Sequence, residues 1–155
     1  MKKAVALGLA FWLAASASGH AAPQGTMPFV LRLYQDEAAS RGGNPLWWSY
    51  LSGRAKFLLD RVLRAEKAGR EGLIDEDWLI QSQDSGGLKV TNVSLINKTG
   101  TGETAVVHYT FGGTRQNDID WVKLTLIYHG TWKIEEITNS KGQTFTAAME
   151  QALRH

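Results

Sequence analysis

The apolar residues of this chain change their spacing halfway along it, and that change limits the fold more than any other feature. Up to about residue 80 they recur every three to four positions, as on one side of a helix. From Leu88 onward they alternate with polar residues, as on one face of a strand. Helices first and strands afterwards predict an α+β domain with an antiparallel sheet, covered on one face by the early helices.

Thr26 can cap a first helix and Pro28 suits its first turn. Phe29, Val30, Leu33 and Tyr34 form its apolar stripe, and Glu37 and Ala38 fall on the same side. Arg41-Gly42-Gly43-Asn44-Pro45 stops it. An aromatic patch follows: Trp47, Trp48 and Tyr50. Ser52 caps a second helix, with Ala55, Phe57, Leu58, Val62, Leu63 and Ala65 as its buried stripe and Gly69 or Gly72 as its stop. Asp75-Glu76-Asp77 reads as the start of a short turn of helix carrying Trp78 and Leu79, its acids favoured by the positive helix end. Residues 81–87 read as a loop.

Four strands in a meander are expected over residues 88–97, 103–111, 119–129 and 131–138. Ala105, Val107, Tyr109 and Phe111 share one face of the second. Val122, Leu124, Leu126 and Tyr128 share one face of the third. A closing helix is expected over residues 143–154, with Phe145, Ala148, Met149, Ala152 and Leu153 inward.

The beginning of the chain carries an address. Lys2 and Lys3 precede an apolar run from Ala4 to Ala17 that is too short for a comfortable membrane span, and small residues follow. This is the layout of a secretory signal peptide, cleaved after Ala21 or, alternatively, after Ala17. The expected organisation is a signal over residues 1–21 and one α+β domain over 22–155, a normal single-domain length. No cysteine occurs in the chain, which excludes a lipid-acceptor cysteine, disulfides and thiolate metal sites. A domain free in the periplasm of a Gram-negative cell, with no membrane segment after cleavage, is the expectation.

Seventeen Lys and Arg stand against fifteen Asp and Glu. Lys2 and Lys3 account for the excess and leave with the signal, so the mature domain is balanced and nucleic acid is a poor partner. The charge is segregated along the chain. Arg54, Lys56, Arg61, Arg64, Lys67 and Arg70 are followed by Glu71, Asp75, Glu76, Asp77 and Asp84. This reads either as a solvated helix face with a solvated loop or as a bipolar surface that steers a charged partner.

Several stretches resemble a family of small exported bacterial proteins whose domain is of unknown function. They are Leu51-Ser52-Gly53-Arg54 at the head of a Leu- and Ala-rich helix, Trp78-Leu79-Ile80-Gln81-Ser82-Gln83-Asp84, Val90-Thr91-Asn92-Val93, Val122-Lys123-Leu124-Thr125-Leu126, and Trp132-Lys133-Ile134 before Glu135-Glu136. Trp78 stands where that family's pattern has Phe. The resemblance covers residue 29 to the C-terminus. It implies a cone of the nuclear-transport-factor-2-like or cystatin-like kind, a curved four-stranded antiparallel sheet around a helix. Some proteins of this general type resemble immunity proteins for toxins delivered into the periplasm.

A cone hosts enzymes as well as binders. An enzyme of that kind needs an acidic base facing polar donors. Asp84, His108, Tyr109, Tyr128 and His129 are the residues to weigh. Asp84 before Ser85-Gly86 reads as a turn cap or as a carboxylate pointing into the cone. His108 faces away from Val107 and Tyr109, and His129 sits in a turn. Tyr109 and Tyr128 read as core aromatics with a polar tip. The histidines lack the spacing of a helical zinc site, and no Gly-x-Ser-x-Gly occurs. No cofactor is expected.

The leading expectation is a non-enzymatic periplasmic binding protein, an immunity or inhibitor protein whose partner is a periplasmic protein. Trp47, Trp48, Tyr50 and Arg54 are its candidate anchors. The alternatives are a small-ligand binder using the cone interior, lined by Tyr109, Trp121 and Tyr128, and a cone-fold enzyme with an acidic base.

Overall fold

The computed structural model describes residues 25–40, 44–112 and 119–154. The signal-peptide reading lies outside the described residues.

Helix α1 (Thr26–Ala39) buries Phe29, Val30, Leu33, Tyr34 and Glu37 along one side. Gly25 occupies the cap position and Thr26 is the first helical residue. The Thr26 hydroxyl is not a cap. It donates to the carboxylate of Glu103 on the sheet, both residues being buried, and so pins the start of α1 to the strand beneath it. A one-turn 3-10 helix (Leu46–Tyr50) leads into α2 (Gly53–Lys67), where Ser52 is the cap residue but makes no side-chain cap bond.

The stripe of α2 is Ala55, Leu58, Leu59 and Val62. Phe57, read as inward, is 56% exposed, because Leu58 and Leu59 take the core side of that turn. Residues 75–80 do not form the expected helical turn. They make a tight hairpin-like loop, bridged between Asp77 and Ser82, that drives Trp78, Leu79 and Ile80 into the core.

Four strands follow: β1 (Lys89–Ile96), β2 (Gly102–Thr110), β3 (Asp120–Tyr128) and β4 (Trp132–Thr138). They pair antiparallel in the order β1-β2-β3-β4. Helix α3 (Phe145–Arg154) closes the fold. Its first turn is held by Thr144, whose hydroxyl accepts from Ala147 N, and by Glu136, which accepts from the Thr146 backbone N–H and hydroxyl. Arg70 caps its other end by donating to Ala152 O (2.7 Å).

Burial alternates cleanly on β2 and β3. Ala105, Val107, Tyr109, Val122, Leu124 and Leu126 face the helices and are fully buried or nearly so. Thr104, Val106, His108, Lys123 and Thr125 lie half-exposed on the other face. That is the pattern of a one-sided antiparallel sheet.

The α+β class and the strand order agree with the sequence reading, but the curved cone does not. The sheet is an open, uncurled meander: β1 and β4 stand at opposite edges and never approach pairing. Strong curvature needs bulges or glycine kinks repeated across the strands. Here the register shifts at only two places, between Val90 and Asn92 and between Thr125 and Leu126. The covered face is filled instead of hollow. Tyr109 is fully buried with its ring 5.8 Å from Phe111 and 5.9 Å from Tyr34, and Phe145 packs edge-on against both Trp47 and Trp78.

Candidate functional site

The loop that carries Trp78, Leu79 and Ile80 inward builds a cleft with its polar remainder. Four hydrogen bonds set its shape. Glu66, near the end of α2, accepts from Leu73 N (3.1 Å) and Ile74 N (3.2 Å). Gln83 donates to Asp75 O (2.6 Å), and Asp77 N donates to Ser82 O (3.0 Å). With the apolar triplet inward, the flanking acids are left around an opening of about 440 Å³ between this loop, the end of α1 and the 3-10 turn. Its carboxylates are Glu37, Glu66, Asp75, Glu76, Asp77 and Asp84, Trp48 forms an aromatic part of its wall, and no Lys or Arg is among the described lining residues.

Two of these acids are held in unusual states. Asp77 accepts from Trp47 Nε1 through both oxygens (3.0 Å each) and from Leu79 N (2.8 Å). Burial still raises its pKa above the ordinary carboxylate value, against the lowering effect of those bonds. Glu37 is 6% exposed, and its Oε2 has no hydrogen-bond partner among the described residues. Burial first, and then the negative charge of Asp77, push its carboxyl up to about 7. Tyr34, one helical turn before Glu37, donates to Leu79 O (2.9 Å); burial and the neighbouring Tyr109, Asp77 and Glu37 raise its pKa well above normal. Two adjacent carboxyls that resist ionisation are suited to sharing a proton or to receiving a cation.

The candidates from sequence are spread over several places. Trp48 and Asp84 come together in the cleft. Asp84 is exposed and accepts from Gly86 N (2.8 Å), so it serves its own turn instead of acting as a buried base. Trp47 is 2% exposed, beneath the cleft. Tyr50 packs edge-on against Phe29, with the Lys133 ammonium 5.9 Å from its ring centre. Arg54 is exposed and pairs with Glu150, beside Phe57, Arg61 and Arg154 in a basic groove on the far side of α2.

His108 lies on the uncovered sheet face, opposite Asn92 and Trp121. Tyr109 is in the core, its hydroxyl accepting from Gln81 Nε2 (2.9 Å). Tyr128 stacks edge-on with Trp132 (5.2 Å) beside the start of α1. His129 is exposed.

Sequence reasoning assigned Glu37 and Gln81 no role as centres, and it assigned Asp77 a role only as one member of the acidic stretch. Glu37 did leave a signal, since it continues the stripe of Phe29, Val30, Leu33 and Tyr34 where an apolar residue belongs. Gln81 sits at φ 50° and ties three segments, donating to Tyr109 Oη and Trp121 O and accepting from Ser140 N and Oγ.

Among the described residues no group of three or more His, Cys, Asp or Glu is arranged to hold a metal ion, and no helix is long and apolar enough to cross a membrane. Compared with known proteins, the chain is matched by no family model, no curated protein and no solved structure.

Proposed function

We propose that this is an exported binding protein that recognises a protein partner in the periplasm through the acidic cleft, acting as an inhibitor or immunity factor. The observation that carries the reading is the cleft itself, where six carboxylates gather around one opening with no Lys or Arg among the described lining residues. Such a surface attracts a basic patch from a distance and selects against acidic ones. The buried Glu37 adds a reason to bind, because a partner's positive charge would relieve an acid whose Oε2 has no hydrogen-bond partner among the described residues. The signal-like residues 1–21 support the periplasmic part of this reading. The resemblance to small exported bacterial proteins belongs to the same reading. Its most distinctive stretch, Trp78 to Asp84, is the loop that plugs the core and forms the cleft wall.

The test is affinity capture of the tagged protein from the extracytoplasmic fraction of its native host. The wild type should recover a basic partner that the double reversal Asp75→Lys, Glu76→Lys does not. Equal recovery by both proteins would reject the cleft as the recognition surface. The partner, sent to the periplasm alone, should arrest growth, and co-expression of this protein should restore it. A harmless partner would remove the inhibitor role.

A further inference from the structure

The acids of the cleft are not equivalent, and accounting for their oxygens narrows what the cleft can take. Glu66 is engaged by Leu73 and Ile74, Asp77 by Trp47 and Leu79, and Asp84 by Gly86. Asp75 and Glu76 are open to solvent, and Glu37 alone is both buried and left with an unengaged oxygen. It lines the cleft, it is 6% exposed, and its Oε2 is fully buried with no partner among the described residues. A buried acceptor left unmade is costly, and it marks the point where an incoming donor gains most.

The remaining features define that donor. The acids are not grouped closely enough to cage a metal ion. The opening of about 440 Å³ is far larger than a bare ion and has room for an extended side chain. Asp77 is anchored nearby, and Trp48 offers an aromatic wall. A planar cation with several donors can bond two carboxylates and stack on a ring, whereas an ammonium is a compact, strongly hydrated charge.

We infer that the cleft receives one guanidinium group, the side chain of an arginine on the protein partner, which bonds Glu37 and Asp77 against Trp48. The inference rests on the cleft being the recognition surface and names the group recognised. The arginine contributes donors to the unpartnered Glu37 oxygen and to whatever acceptor capacity Asp77 retains. Asp75 and Glu76, nearer solvent, attract the partner without specifying its side chain.

The experiment is an NMR titration of the mature protein with N-acetyl-arginine methylamide, following backbone amides around Glu37, Trp48 and Asp77. Saturable shifts confined to the cleft are expected. The neutral isostere N-acetyl-citrulline methylamide should bind at least about tenfold more weakly, and Glu37→Gln should weaken the arginine probe by a similar factor. N-acetyl-lysine methylamide and calcium chloride should both bind more weakly than the arginine probe.

No saturable shift, equal binding of citrulline, tighter binding of lysine or calcium, or an unchanged affinity in Glu37→Gln would each overturn the inference. Should Glu37→Gln fail to fold, Trp48→Leu decides instead: weakened arginine binding supports the site, and unchanged binding overturns it. Partner capture separates the two readings. Capture lost in the Asp75, Glu76 reversal but intact in Glu37→Gln would sink the arginine site and leave the acidic recognition surface standing.

Discussion

Glu37 and Gln81 represent opposite uses of a polar side chain in a core. Glu37 is buried with one oxygen unpaired among the described residues, and burial pushes its carboxyl up from 4.5 to about 7. Between those values the folded chain holds a proton that the unfolded chain has lost. Its contribution is therefore complete below about pH 4.5 and is lost as pH rises through about 7. Asp77, also raised, acts in the same direction. Glu37→Gln should leave Tm nearly unchanged at pH 5 and raise it at pH 8, by up to about 3 kcal/mol in stability. Thermal melts across that range check the sign, and an equal shift at both ends would contradict it. Gln81 has its amide satisfied on both sides. Gln81→Ala would remove one donor to the Tyr109 hydroxyl and the acceptor of the Ser140 donors, at a cost of about 2–3 kcal/mol in urea denaturation.

Among the elements, the 3-10 turn and the loop of residues 75–84 depend on each other. Trp47 packs edge-on against Phe145 (5.8 Å) and donates to Asp77. Trp47→Phe keeps an aromatic ring on Phe145 and removes only the donor. It should cost about 1–2 kcal/mol and loosen the cleft loop, read as faster amide exchange at Leu79 and Ile80. The β1–β2 end of the sheet gives a second test. Gly87 adopts φ +72°, and a Cβ there would lie 2.5 Å from Gly112 N. Gly130 has a similar φ of +74° with open space around it. Gly130→Ala should therefore cost about 1 kcal/mol from backbone strain alone, and Gly87→Ala distinctly more, because backbone would have to move. Equal losses in denaturant would mean that the contact with Gly112 is not tight.

As a whole, the molecule is polarised. The acidic cleft occupies one side, and Arg54, Arg61 and Arg154 with the exposed Phe57 line a groove on the α2–α3 side. Association through the cleft should be steered by charge. Raising ionic strength from about 0.05 to 0.5 M should slow association severalfold and leave dissociation far less affected, measured by stopped flow or surface plasmon resonance. A salt-independent association rate would argue against the cleft as the docking side.

Much of the architecture was legible beforehand. The alternation read over residues 103–111 and 119–129 pointed to β2 and β3 with their inward faces, with ends within one residue of those found, because a strand's side-chain period is two and one face must be buried. The helical stripe of α1 was legible for the same kind of reason, down to the odd presence of Glu37 on it. The helical turn expected at residues 75–79 was not found. Local propensity pointed to a capped helix, whereas burial of Trp78, Leu79 and Ile80 together demands a tight loop with Gln81 at positive φ. The cone was not found either, since curvature depends on where bulges fall across neighbouring strands, and a single strand's pattern does not carry that. The cleft was legible only in part: the acidic stretch of Asp75, Glu76, Asp77 and Asp84 stood out in the sequence, but its gathering with Glu37 and Glu66 around one opening did not. Its acids come from α1, α2 and the following loop, between positions 37 and 84 of the chain, and packing brings Glu37 and Glu66 to the others. Periodicity and composition thus specified the class, the strand order and the inward faces, all of which follow from short-range side-chain spacing. The openness of the sheet, the filled core and the acidic cleft came from long-range packing, where distant residues compete for the same buried space.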